Sequence, residues 1–426
     1  MAYTLPSWAD TPSTASPLSA ANLTLGNTAI NDLDTRATKL EHSAQTVWAD
    51  NPPTGSGLTA LNANGSTDDQ ARLQAMLSYV DSTWGSGQVV LPPGRTIKVN
   101  SGISLAAGVQ LVALEQTVLN FSALTGTSTA VTVNDTDFTP LVGVKLIGPG
   151  KSSTVTGLSV SGTGQTFDRI TVREFGTAVN LAHNNTYINR FIGCDIGESG
   201  LCVNQDLFDA GATNAGERTV FTGCAFFNSN QFINVQSNQG GLFFTNCSVD
   251  YCKDYGLTND SHVIFTGCHL ESSYATTTPN SYMFNPGYEN RLVFTGCNFI
   301  MSAVGGEGLR FIINPASAPS NVTKGRVLFD NCLAYFIDTG HTGRQRFSEE
   351  FLQIAGSTTS LSFETPFVSN WSPVTAMPGA NQGDTQAQAT VTAAISRSGS
   401  TVTGSVTITA PSTVTGGTVL PVRIKF

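Results

Sequence analysis

One short pattern recurs along the middle of the chain and organises its hydrophobic positions. Phenylalanine stands at 191, 221, 244, 265, 294 and 329, and three residues later comes a cysteine, at 194, 224, 247, 268, 297 and 332. Directly before each cysteine is Gly193, Gly223, Asn246, Gly267, Gly296 or Asn331. Gly and Asn accept positive φ most cheaply, so this column predicts a sharp bend between two strands, after which the in/out alternation restarts. Two residues past each cysteine lie Ile196, Phe226, Val249, Leu270, Phe299 and Ala334, apolar in every copy, as a strand with one buried face requires. The cysteines are 30, 23, 21, 29 and 35 residues apart, which is one solenoid coil per copy with the length differences taken up in loops. A weaker copy, Phe167 to Val172, carries Ile170 in the cysteine position, and strand-like runs extend back to about Val109. The fold class predicted is all-β, a right-handed parallel β-helix.

Other periods govern the two ends. Residues 1–22 are rich in Pro, Ser and Ala and read as an extended segment. From Leu23, the positions Ile30, Leu33, Ala37, Leu40, Ala44 and Val47 alternate steps of three and four, the seam of a coiled coil. An amphipathic helix packing on its own chain satisfies the same spacing. Thr67 and Gln70 form a helix-start signal, and Leu73, Met76, Leu77, Val80 and Trp84 make one apolar stripe. Val89–Leu91 and Thr96–Val99, either side of Pro92-Pro93-Gly94, read as two strands joined by a turn, which with the helix would cap the open end of the solenoid. After Phe351 the repeat stops, and short Thr/Val alternations follow at 390–392, 401–403 and 405–409. The expected organisation is an anchoring segment with a short trimeric coiled coil (1–50), a helix-and-strand cap (57–100), the β-helix (101–355) and a C-terminal β region (356–426).

Composition narrows the class of partner. Only 12% of residues are charged and the net charge is −9, with no Lys/Arg cluster, so nucleic acid is not an expected partner. No apolar run reaches the roughly 20 residues of a spanning helix, so membrane insertion is not expected. The opening Met1-Ala2-Tyr3-Thr4-Leu5-Pro6 lacks the features of an export signal, which predicts synthesis in the cytosol. Eight cysteines, five histidines and no C-x-x-C pair predict no metal and no cofactor. Stacked cysteines would sit ~4.8 Å apart, wider than a disulfide's Cβ spacing of about 3.8 Å, so they are expected to be buried thiols. Cys202 and Cys252 lie outside the column and have no assigned role.

The segment Asp68 to Leu77, followed by Gln88-Val89-Val90-Leu91-Pro92-Pro93-Gly94-Arg95-Thr96-Ile97, resembles the lead-in of pectate-lyase-like β-helix proteins. In bacteriophage tailspikes that lead-in commonly follows a virion-binding region. Trp8 to Leu18 also resembles the start of phage tail proteins from Gram-positive hosts. The resemblance covers residues 1 to about 355. It implies a homotrimer, attachment to a tail or baseplate protein through the N-terminus, a place in the virion, and action outside the cell on a host cell-surface glycan. It transfers no catalytic residue.

Candidate chemistry comes from the columns one and three residues past each cysteine, which face solvent. The first contains Asp195, Ser248 and His269; the second contains Asp250 and Glu271 on successive coils. Two carboxyls ~5–5.5 Å apart suit retaining glycoside cleavage, and like charges so close raise one pKa. Asp250, Glu271 and His269 are therefore the candidate catalytic residues, with Asp195, Tyr251, Tyr255 and Tyr274 as candidate sugar contacts. A solvated acidic face would give the same columns, and Asp206, Asp209 and Glu217 offer other carboxylates. Three functions fit: a tailspike that depolymerises a glycan, a receptor-binding fibre that only binds, and a free polysaccharide lyase or hydrolase.

Overall fold

The computed structural model describes residues 45–115, 117–207, 211, 216–237, 240–259, 261–272, 282–286, 291–302, 311–313, 326–338, 341–352, 358–364, 375–378, 390–398, 401–409 and 422–425. The coiled-coil seam up to Ala44 lies outside them.

The strands stack in three parallel ladders, and each coil contributes one rung to each. The first ladder runs from Thr46–Trp48 through Thr166–Asp168, Thr219–Thr222 and Leu242–Thr245 to Arg326–Asp338. The second runs from Asn64–Asp68 through Asp195–Gly197, Ala225–Phe227, Ser248–Asp250 and His269–Ser272 to the same long strand. The third runs from Ile103–Leu105 to Phe311–Ile313. Three parallel ladders wound by one chain make a parallel β-helix, right-handed as crossovers between parallel strands are.

The repeated residues have clear jobs. Phe167, Phe191, Phe221, Phe244, Phe265, Phe294 and Phe329 stack through the core with ring centroids 4.6–5.1 Å apart and planes within 14°. The Gly/Asn column has φ between 49° and 62°, and Arg169 takes the same conformation in the weaker copy. That bend turns each cysteine inward, where its S–H donates to the carbonyl of the Phe one coil earlier at 3.3–3.5 Å. An apolar side chain of similar size would leave that carbonyl without this donor. All eight cysteines are buried and free, and Cys202 donates to Ser229 Oγ at 3.1 Å.

Helix α1 (Gln70–Trp84) buries Leu73, Met76, Leu77 and Val80, with Trp84 partly covered. Three details depart from the expectations. Asp69, not Thr67, precedes the helix; its fully buried carboxylate turns back to accept from the N–H groups of Asn62 and Ala63 and from Arg72, while Asp68 Oδ1 accepts from Gln70 N–H. Gly87–Leu91 and Thr96–Lys98 pair not with each other but with strands of neighbouring coils, because each occupies a different ladder. The parallel stack also begins before residue 101, since Thr46–Trp48 and Asn64–Asp68 are already rungs; Val47 is a buried strand residue rather than part of a helical seam. At the other end, His341–Leu352 pairs antiparallel with Arg326–Asp338. Beyond it, Thr358–Glu364, Thr390–Ser398 and Thr401–Thr409 form an antiparallel sheet, and Thr375–Pro378 pairs with Val422–Lys425.

Candidate functional site

The second ladder carries the site because its strands alternate one inward residue between two outward ones. Val249 and Leu270 point into the core, which leaves Ser248, Asp250, His269 and Glu271 on the outer face. The register sets Ser248 beside His269 and Asp250 beside Glu271, one rung apart. Their ligating atoms converge: His269 Nε2 is 3.7 Å from Asp250 Oδ1 and 3.6 Å from Glu271 Oε2, and all three groups offer atoms within 4.8 Å of one another. These approaches are electrostatic, being longer than hydrogen bonds.

Asp250 is held in an uneven environment. Ser248 Oγ donates to its Oδ2 at 2.8 Å, whereas Oδ1 is buried and has no hydrogen-bond donor. Burial pushes its carboxyl above the usual range, the Ser248 hydrogen bond and His269 work against that shift, and Glu271 adds a smaller upward push. The dominant cause is thus loss of solvent rather than the like charge alone. Asp250, His269 and Glu271 are also a set able to hold a metal ion, which Cys/His spacing in the sequence did not suggest.

The other candidates fall in different places. Tyr251 is 49% exposed and follows Asp250 directly, with φ of 54°, a conformation costly for a bulky residue. Tyr255 corrects the expectation of a solvent-facing ring: it belongs to the third ladder and is fully buried, where its hydroxyl donates to the carbonyls of Val249 (3.1 Å) and Glu271. It ties together the two rungs that carry the carboxylates. Tyr274 lies outside the described residues. Asp195 does not join the group, because Ala225 and Ser248 separate it from His269 by three rungs, roughly 14 Å. It lies instead 3.8 Å from Arg173, which is also 3.9 Å from Glu198 and sits over the Phe227 ring at 4.6 Å. Phe227 is the rung next to Asp250, and Gly197 makes room for it: a Cβ there would meet the ring at 2.9 Å. Asp206 accepts from Gln236 at 2.6 Å on the third ladder, Asp209 lies outside the described residues, and Glu217 is in the turn before Thr219–Thr222.

Two contributors were not picked out from sequence, Ser248 as a partner of Asp250, and Phe227 as the apolar wall beside it. The signal for both was the period of two, which places residues two apart on one face and residues of equal phase on adjacent rungs.

No protein-family model and no curated protein sequence matches the chain. Among solved structures it is similar to pectate lyase Pel9A, at 14% identity over 62% of this chain and 80% of that one, with a TM-score of 0.38. It is also similar to the enzymatically active domain of tailspike protein 4 of bacteriophage CBA120, at 16% identity over 64% of this chain and 39% of that one, with a TM-score of 0.42. A third is a mutant tailspike of the E. coli bacteriophage HK620 in complex with a pentasaccharide, at 14% identity over 69% of this chain and 63% of that one, with a TM-score of 0.38. The chain thus spans less than two thirds of either phage protein.

Proposed function

We propose that the chain is a tailspike-type virion protein that binds a host cell-surface polysaccharide on the outer face of the second ladder and hydrolyses it at Asp250 and Glu271. The observation that carries this reading is the pairing of two carboxyls within 4.8 Å, one of them pushed up in pKa by burial. That separation suits the retaining arrangement and is too short for the water that inverting enzymes place between acid and base. In the proposed reaction, protonated Asp250 gives its proton to the glycosidic oxygen as the bond from that oxygen to the anomeric carbon breaks. Glu271 forms a bond to the anomeric carbon, and water then displaces it while returning a proton to Asp250. His269 Nε2 lies 3.6 Å from Glu271 Oε2, on the same face as both carboxyls. Tyr251 offers an exposed ring beside the carboxylates.

The wider reading belongs to the same proposal: three chains assemble into one fibre through the N-terminal segment, which attaches to a tail or baseplate protein, and the particle carries the fibre to its glycan. Among the described residues no helix is long and apolar enough to cross a membrane. The test measures product release and glycan affinity together, on polysaccharides of hosts that show a halo with the purified protein. Glu271→Gln and Asp250→Asn should each lower turnover at least ~10²-fold while binding persists. Full activity in both variants moves the chemistry elsewhere. Binding without any product release by the wild type turns the reading into that of a non-enzymatic adhesin.

A further inference from the structure

The geometry points to a divalent metal site, of the class that takes mixed nitrogen and oxygen ligands, formed by Asp250 Oδ1, His269 Nε2 and Glu271 Oε2. Three features of the cluster carry this. First, the three atoms come from two rungs and converge on one spot, with His269 Nε2 at 3.7 Å from the first oxygen and 3.6 Å from the second. Ligands about 2.0–2.2 Å from a tetrahedral ion lie roughly 3.3–3.6 Å apart, so side-chain adjustments would close the tripod. Second, Asp250 is oriented in the way ligating carboxylates are. Ser248 occupies Oδ2, and the remaining oxygen, Oδ1, is buried, lacks a donor and is the one nearest His269. Third, two carboxylates and a neutral imidazole balance a charge of two, which no Lys or Arg does here: among the ion pairs of the described residues, these two carboxylates pair only with His269.

The donor set also selects the ion. Calcium takes six to eight oxygens and magnesium keeps an octahedron of oxygens, whereas an imidazole with two carboxylates and open positions suits Zn2+. A bound ion would occupy the oxygens that the proposed glycan chemistry uses, so Zn2+ should inhibit any cleavage. Metal binding itself is independent of that chemistry and is read without glycan.

The experiment is calorimetric titration of the chelator-treated full chain with ZnCl2 and, separately, CaCl2, together with the visible spectrum after Co2+ addition. One Zn2+ per chain is expected, with a Co2+ d–d band lacking thiolate charge transfer, since all eight thiols are buried. His269→Ala and Glu271→Gln should each weaken Zn2+ at least ~10-fold, and Ser248→Ala about 10-fold through loss of the orienting hydrogen bond. Asn298→Ala, one rung from His269 in the same column, should leave affinity unchanged, and melting curves of all variants establish that they are folded. The proposal is overturned by no Zn2+ binding in the wild type, by equal affinity for Ca2+ and Zn2+, or by wild-type affinity in folded His269→Ala and Glu271→Gln.

Discussion

Removing the ring of Tyr251 in two ways separates what the position costs in folding from what it contributes to binding. The residue sits where the three preceding coils also turn a corner in the left-handed region: Glu174, Glu198, Asn228 and Tyr251 follow register-matched residues and have φ of 61°, 51°, 49° and 54°. Left-handed backbone costs a residue with a Cβ roughly 1–2 kcal/mol, and glycine nothing. Glycine in turn loses about 0.4–1 kcal/mol relative to alanine through the entropy of the unfolded chain. Tyr251→Gly and Tyr251→Ala forfeit the same ring contacts, so their difference isolates the backbone term. The glycine variant should be the more stable by about 0.5–1 kcal/mol, the reverse of the order in an ordinary strand. Urea unfolding midpoints read this directly, and an alanine variant as stable as glycine or more so would show that no strain is stored there. The functional half uses glycan affinity. A stacking aromatic contributes about 0.5–1.5 kcal/mol, so both variants should bind the substrate polysaccharide roughly 2- to 13-fold more weakly, and Tyr251→Phe should bind like wild type. Unchanged affinity in both would leave the exposed ring without a role in recognition.

The hydrogen bond with the Cys194 thiol, together with burial, pushes Cys224 up to about 12. Because Cys224, Cys247, Cys268 and Cys297 are all buried, a thiol reagent at pH 8 should find them unreactive until the chain is denatured, and fast native labelling would contradict the inward column. Asp250 should make stability depend on pH in a definite direction. Its folded pKa lies above the unfolded value, so its contribution is most favourable below the unfolded pKa and declines as pH rises through the folded one. Asp250→Asn should therefore gain stability relative to wild type at neutral pH and lose that advantage near pH 3; an advantage independent of pH would rule out this origin. Light scattering should return three times the 44.7 kDa chain mass, and a monomer at micromolar concentration would contradict the trimeric seam read from residues 23–47.

The residues alone determined the coil. A Phe, a Gly or Asn, and a Cys at fixed offsets encode a strand, a left-handed corner and a second strand, and these are local properties of a few consecutive residues. Their equal phase then determined which side chains neighbour one another, so the pairing of Asp250 with Glu271 and of Ser248 with His269 is legible in the repeat itself. The start of the stack is not, because Thr46–Trp48 and Asn64–Asp68 carry no repeat signature and become rungs only by pairing with Gly87–Leu91 and Thr96–Lys98. Tyr251 and Tyr255 look alike in sequence. Only the third ladder, folding back against the second, turns Tyr255 inward to bond the carbonyls of Val249 and Glu271 while Tyr251 is left at the exposed corner. The upward push on Asp250, its buried Oδ1 and the convergence of three ligating atoms likewise belong to tertiary structure, since burial and approach depend on side-chain directions across rungs. Sequence phase fixes which residues are adjacent; packing of the three ladders decides which of their atoms meet and how much water reaches them.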